Sequence, residues 1–155
     1  MIQRIQSIYL LLAALAVFAL FFFPLAHHLY IGNTETTFKV DGQYQEMGGQ
    51  LVRTVSFLPM TIVCVLLGLL PIIIIFRYKE RSQQVALSYG LILALMGFSF
   101  WMTQTVKQLA QGVIFDMNNY SFGILMPSIS IVFVLLAIRN IRNDDKLVKS
   151  ADRLR

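Results

Sequence analysis

Polar and apolar positions alternate along this chain in blocks rather than residue by residue. Four stretches carry no charged side chain, and they lie between Arg4 and Glu35, Arg53 and Arg77, Arg81 and Lys107, and Asp116 and Arg139. Each exceeds the roughly 20 apolar residues that a helix needs to cross a bilayer. The pattern predicts four transmembrane helices, at about residues 5–23, 57–76, 85–103 and 122–138. Pro24 ends the first, where the backbone loses a donor, and Pro59 fits the first turn of the second. Pro71 predicts a bend inside the second helix.

The segments between the spans read differently. The first outer loop, residues 27–54, holds β-prone Thr36-Thr37-Phe38-Lys39-Val40, a hairpin-type Asp41-Gly42, and Gln43-Tyr44-Gln45 as a returning strand. A small β-hairpin is expected there, with Gly48-Gly49 as a flexible entry to the second span. The second outer loop covers residues 104–121 and the inner loop residues 77–84. In the tail, residues 139–155, Ile141, Leu147, Val148, Ala151 and Leu154 recur near helical spacing, and Asp145 and Lys149 form an i,i+4 pair. An amphipathic C-terminal cytoplasmic helix is expected, either continuing the fourth span or lying on the membrane surface. Within the third span, Ala86, Gly90, Ala94 and Gly97 share one face. Small residues at this spacing let backbones approach closely, so this face is the expected helix-packing contact, within the chain or between chains.

Charge supplies the orientation. Ten basic residues, among them Arg4, Arg77, Lys79 and Arg81, fall on one side of four crossings, against Lys39, Arg53 and Lys107 on the other. The positive-inside rule then puts both termini in the cytoplasm. The tail's Arg139, Arg142, Lys146, Lys149, Arg153 and Arg155 are the expected partner or lipid contacts. Placed there, the net charge of +5 reads as topology and lipid attraction, about 1 kcal/mol per basic residue near the surface, and no nucleic-acid partner is expected. Charged residues make up 14% of the chain, against about 25% in a soluble domain. A single membrane domain over residues 1–155 is the consistent reading.

Candidate chemistry is sparse. The spans contain no Asp, Glu, Lys, Arg or His at depth, and such residues are the usual markers of proton or ion pathways. Their hydroxyls, Thr61, Ser88, Ser99, Thr103, Ser128 and Ser130, are expected to bond helix backbone, because a serine nucleophile needs a base. The lone Cys64 allows no intramolecular disulfide, and His27-His28 lacks the spacing of a metal site. No catalytic, cofactor-binding or metal-binding residue is assigned, no cofactor is expected, and the chain is not read as an enzyme.

The ends of the chain carry a resemblance. Met1-Ile2-Gln3-Arg4-Ile5-Gln6-Ser7-Ile8-Tyr9-Leu10 and Leu136-Ala137-Ile138-Arg139, with the closing Ser150-Ala151-Asp152-Arg153-Leu154-Arg155, resemble the domain of unknown function 4293 family of small four-helix inner-membrane proteins of Bacteroidetes. The resemblance implies a Gram-negative inner membrane with the outer loops in the periplasm, and it brings no catalytic residues. The expectation is therefore an all-α, four-helix transmembrane bundle, N-in and C-in, with its partners the lipid bilayer and a membrane protein or a second copy. The role expected is that of a non-enzymatic accessory, scaffold or assembly subunit; the alternative is an oligomeric transporter, channel or lipid-handling protein.

Overall fold

The computed structural model describes residues 3–31, 34–78, 80–110 and 119–152, with side chains for 5–30, 34–78, 80–110 and 119–145. Four helices form: α1 (Gln3–Phe18), α2 (Leu58–Phe76), α3 (Arg81–Leu109) and α4 (Met126–Asp152). Those in Leu58–Phe76, Arg81–Leu109 and Phe122–Asp145 are long and apolar enough to cross a membrane. The first is shorter than expected. Its α-helical part stops at Phe18 and a 3-10 turn, Ala19–Phe21, carries the chain to the Pro24 region. At 1.5 Å per α-helical residue and 2.0 Å per 3-10 residue, residues 3–21 still extend about 30 Å.

Each helix packs against two others. α1 lies along α2 and α4, and α3 lies along the same two. Leu10, Ala13 and Val17 of α1 and Leu20 of the 3-10 turn are buried with Met60, Cys64 and Leu67 of α2 and Val134, Ala137 and Ile138 of α4. Small residues allow these approaches. A Cβ on Gly68 would stand 2.7 Å from Phe18 Cζ, so this glycine makes room for the Phe18 ring. Ser130 Oγ donates to Ala13 O at 3.0 Å, from α4 to α1.

Four more of the span hydroxyls bond helix backbone as expected. Ser88, Ser99 and Thr103 each donate to the carbonyl four residues back in their own helix. Thr61 does the same to Phe57 O. α2 runs helical through Pro71, whose ring is buried.

The first connection contains a four-stranded antiparallel sheet in the order β1 (Ala26–Ile31), β2 (Thr34–Lys39), β3 (Gly42–Met47) and β4 (Gln50–Ser56). This corrects both the all-α class and the single hairpin. The expected hairpin is present as β2–β3, but Lys39 pairs with Gly42, so its turn is Val40-Asp41 rather than Asp41-Gly42. Gly48-Gly49 is not a flexible entry. Met47 pairs with Gln50 across it, and both glycines have positive φ, 63° and 79°. A two-residue hairpin turn with φ positive at both positions matches the right-handed twist of its strands, and glycine adopts it without a Cβ penalty.

The sheet lies across one end of the helices. Its inner face, including Leu29, Thr36, Phe38 and Val40, is buried, and Leu29, Phe38 and Val40 join one core with Phe57, Met60, Met102 and Val106. Burying a side chain such as Phe38 contributes about 1.5–3 kcal/mol. Phe57 N donates to Asp41 O at 3.0 Å, tying the start of α2 to the β2–β3 turn.

The segment that returns to α4 grips the other side of the sheet. Ala26 bridges to Tyr120, and Ser121 N donates to Leu25 O at 3.2 Å. Gly123 is the second residue of the 3-10 turn Phe122–Leu125, and its N–H donates to Pro24 O at 3.1 Å.

At the opposite end α4 resolves the tail alternative, since one unbroken helix runs from Met126 to Asp152. α3 runs beyond its apolar stretch at both ends, from Arg81 to Leu109, so the α2–α3 connection narrows to a few residues after Phe76.

Candidate functional surfaces

The small-residue face of α3 is turned away from the other helices. Ala86, Gly90, Ala94 and Gly97 are all exposed, and a Cβ on Gly90 or Gly97 would meet no atom within 4 Å. The buried stripe of α3 is instead Gln84, Ser88, Leu91, Leu95, Phe98, Met102 and Val106, a near-heptad row of the kind that packs in a seam. Within the chain, close approach belongs to Gly68 and to the α1–α4 pair.

The basic residues of the tail divide. Arg139 is exposed. Arg142 is exposed too, but its guanidinium carbon lies 5.3 Å from the centre of the Tyr89 ring on α3. Side chains tilt toward the N-terminus of their helix, and α3 and α4 run in opposite directions, so these two side chains lean toward each other. Lys146 and Lys149 belong to α4 but their side chains lie outside the described set, and Arg153 and Arg155 lie outside the described residues.

The same end holds polar groups that sequence reasoning did not single out. Gln84 is fully buried, and its Nε2 donates to Ile74 O at 3.2 Å near the end of α2. Asp144, 7% exposed, turns inward from α4. Gln84 Oε1, Asp144 Oδ1 and Arg81 Nη1 are buried without a hydrogen-bond partner. A cleft of about 210 Å³ between α3 and α4 is lined by Arg81, Ser82, Val85, Ile141, Arg142 and Asp145. The signal for Asp144 was available in its spacing from Ile138 and Ile141, which places it on the apolar row.

The sheet's outer face gathers Lys39, Asp41, Tyr44 and Arg53. Tyr44 pairs across the strands with Arg53 and Thr37, and Lys39 Nζ stands 5.3 Å from the centre of its ring. The Tyr44 hydroxyl donates to Asp41 Oδ2 at 2.5 Å. That carboxylate holds the phenol above its ordinary pKa, with desolvation acting in the same direction and Arg53 opposing.

The histidine pair lies on β1. His28, with φ of 54°, sits where the β1–β2 register shifts. Its Nδ1 bonds the Glu35 carboxylate, and Asn119 Nδ2 donates to its carbonyl at 3.0 Å. These contacts hold a backbone conformation that costs a non-glycine residue about 1–2 kcal/mol.

A predominantly apolar structure of four helices, three of them of membrane-crossing length, with an antiparallel sheet over one end, defines a protein compatible with a membrane location. Its family model is the one described as Domain of unknown function (DUF4293), which matches residues 2–154; the chain belongs to that family. No curated protein and no solved structure matches the chain.

Proposed function

We propose that this protein is a non-enzymatic accessory, scaffold or assembly subunit of a Gram-negative inner-membrane complex. It crosses the membrane four times as a helical bundle, with both termini in the cytoplasm and the sheet in the periplasm. The observation that carries the reading is where specific surface is left. The helices fill their own interior with apolar side chains, and their hydroxyls bond helix backbone. Surfaces of mixed chemistry remain at the two ends, on the outer face of the sheet and on the extension of α4 beyond Ile138. The ten-to-three division of basic residues supports the orientation.

Affinity purification of the intact chain in mild detergent tests the role, alongside a chain ending after Asp145. The reading expects a co-purifying membrane protein that the truncation loses. A lone monomer, with no association altered by the truncation, contradicts it.

A second reading draws on the outward Ala86–Gly97 face: an oligomeric transporter, channel or lipid-handling protein assembled through α3. Gly90→Leu with Gly97→Leu tests it, and an unchanged oligomer size removes its support.

A further inference from the structure

The two edges of the sheet are treated differently. β1 is covered by residues 119–121, through the Ala26–Tyr120 bridge, the Ser121 N–H to Leu25 and the Asn119 side chain. β4 is uncovered. All seven of its residues are exposed, and among the described residues no segment pairs with its outer edge. An open edge is a template for another strand, so proteins guard edges with charge, proline or bulges. β4 contains no proline. Its one charge, Arg53, folds back over the sheet, with Nη2 donating to Ser56 Oγ at 3.2 Å and the stem close to Gly42. Its irregularity, near Thr54, leaves Gln50–Arg53 in regular register with β3.

We propose that β4 pairs antiparallel with β4 of a second copy, joining two sheets into one of eight strands. Three features select a second copy. First, symmetry permits it. Copies that share a membrane orientation, as the reading above requires, must be related by a twofold along the helix axes. An antiparallel strand pair has its twofold perpendicular to the sheet. Because the sheet's inner face is buried against the helix ends, a twofold perpendicular to the sheet can run along the helices.

Second, the backbone supplies a register. Met47 and Gln50 close a two-residue hairpin and exchange both hydrogen bonds, and so, two residues on, do Gln45 and Val52. Leu51 and Arg53 therefore turn their N–H and C=O groups to the free edge. A symmetric ladder built on these groups sets Leu51 against Arg53 of the second copy, and Val52 against Val52 on the axis. Arg53 does not face Arg53, which avoids opposing like charges.

Third, the apolar surface continues. Val52 and Val55 pair with Gln45 and Gln43, which face the same side as buried Thr36 and Phe38. Yet they remain 46% and 39% exposed. Pairing β4 with its copy extends the covered inner face across both.

Cysteine crosslinking in native membranes tests this, with fully buried Cys64 as the silent background. Residues opposed in a non-hydrogen-bonded pair have Cα atoms about 4.5 Å apart, within disulfide reach. Val52→Cys is expected to give mainly covalent homodimer on mild oxidation. Leu51→Cys and Arg53→Cys each alone place their sulfurs about two residues out of register, beyond the roughly 7 Å Cα limit, and stay monomeric; co-expressed, they crosslink to one another. This mixed pair keeps the test open if Val52→Cys fails to fold. Equal crosslinking at Val52, Leu51 and Arg53 singly, no crosslinking of either design, or capture of a different polypeptide overturns the pairing. Carbonate extraction reads membrane placement separately. A crosslinked chain released by carbonate retains the pairing but refutes the placement, and an uncrosslinked chain held in the membrane does the reverse.

Discussion

Gly123→Ala should damage the fold more than any other single methyl added at a glycine in the helices or their 3-10 turns. A Cβ built there stands 2.3 Å from Pro24 O, 2.8 Å from Phe23 O and 2.8 Å from Pro24 C. All three are backbone atoms, so no rotamer change relieves the clash, and the two segments must separate by about 1 Å to reach ordinary contact. Overpacking of this kind costs about 1–3 kcal/mol. Separation also weakens the Gly123 N–H to Pro24 O bond, worth about 1 kcal/mol net. The combined loss is about 2–4 kcal/mol, or a fall of about 4–16 °C in Tm for a chain of this length. Thermal unfolding of the purified protein in detergent reads it, with Gly97→Ala as the matched control. Gly97 has open space around it, and Ala exceeds Gly in helix propensity by about 1 kcal/mol, so the control should hold or gain stability. Equal Tm values for Gly123→Ala and the unmodified chain would refute the reasoning.

Other substitutions separate parts of the account. Gly49→Val forces a β-branched residue to a φ of 79° and should lower stability by at least about 1–2 kcal/mol in the same melt. Gln84→Leu removes the orphan Oε1 but also the Nε2–H donor to Ile74 O; since Ile74 O keeps the Arg77 N–H, the net loss should not exceed about 1 kcal/mol, and a loss above about 2 kcal/mol would show that Oε1 has a partner. Ser130→Ala should cost about 0.6 kcal/mol, the mean for an interhelical hydrogen bond in a membrane protein, since Ala13 O is a helix carbonyl that keeps its own chain's donor. Tyr44 should ionise above the ordinary tyrosine value of about 10. A pKa raised in the folded state stabilises the fold below the unfolded value and loses that contribution as pH rises through the folded one. Alkaline titration followed by phenolate absorbance reads this as the difference between the unmodified chain and Tyr44→Phe, and the phenol lost in the variant should be one that ionises above the ordinary tyrosine value.

The helices were legible because a membrane-length helix needs only apolar composition, and the charge gaps located all four. Their ends were less so. Residues 19–23 are as apolar as the helix before them, and nothing in composition separates a 3-10 turn from an α-helical one. α3 and α4 run past their apolar stretches because Gln, Lys and Arg have helix propensities close to that of Leu, so loss of apolar composition does not end a helix. The sheet was half read. Gly48-Gly49 is a strong hairpin signal when flanked by strands, but Gln50–Ser56 lacks a clean alternation, since its residues are exposed on both faces. The face of Ala86, Gly90, Ala94 and Gly97 shows the limit of spacing alone: small residues permit close approach without requiring it. The contacts that use small residues, at Gly68 and Gly123, each involve a single glycine whose partner is distant in sequence. Asp144 lies in the expected tail helix, but its helical phase turns it inward.

Single-cysteine accessibility tests the central claim most directly. Glu46→Cys, on the sheet, and Ser150→Cys, near the end of α4, are each exposed in intact cells to a maleimide that passes the outer membrane but not the inner one. With both termini in the cytoplasm and the sheet in the periplasm, residue 46 labels in intact cells and residue 150 only after the inner membrane is permeabilised. Labelling of residue 150 in intact cells, or of neither until permeabilisation, contradicts the account.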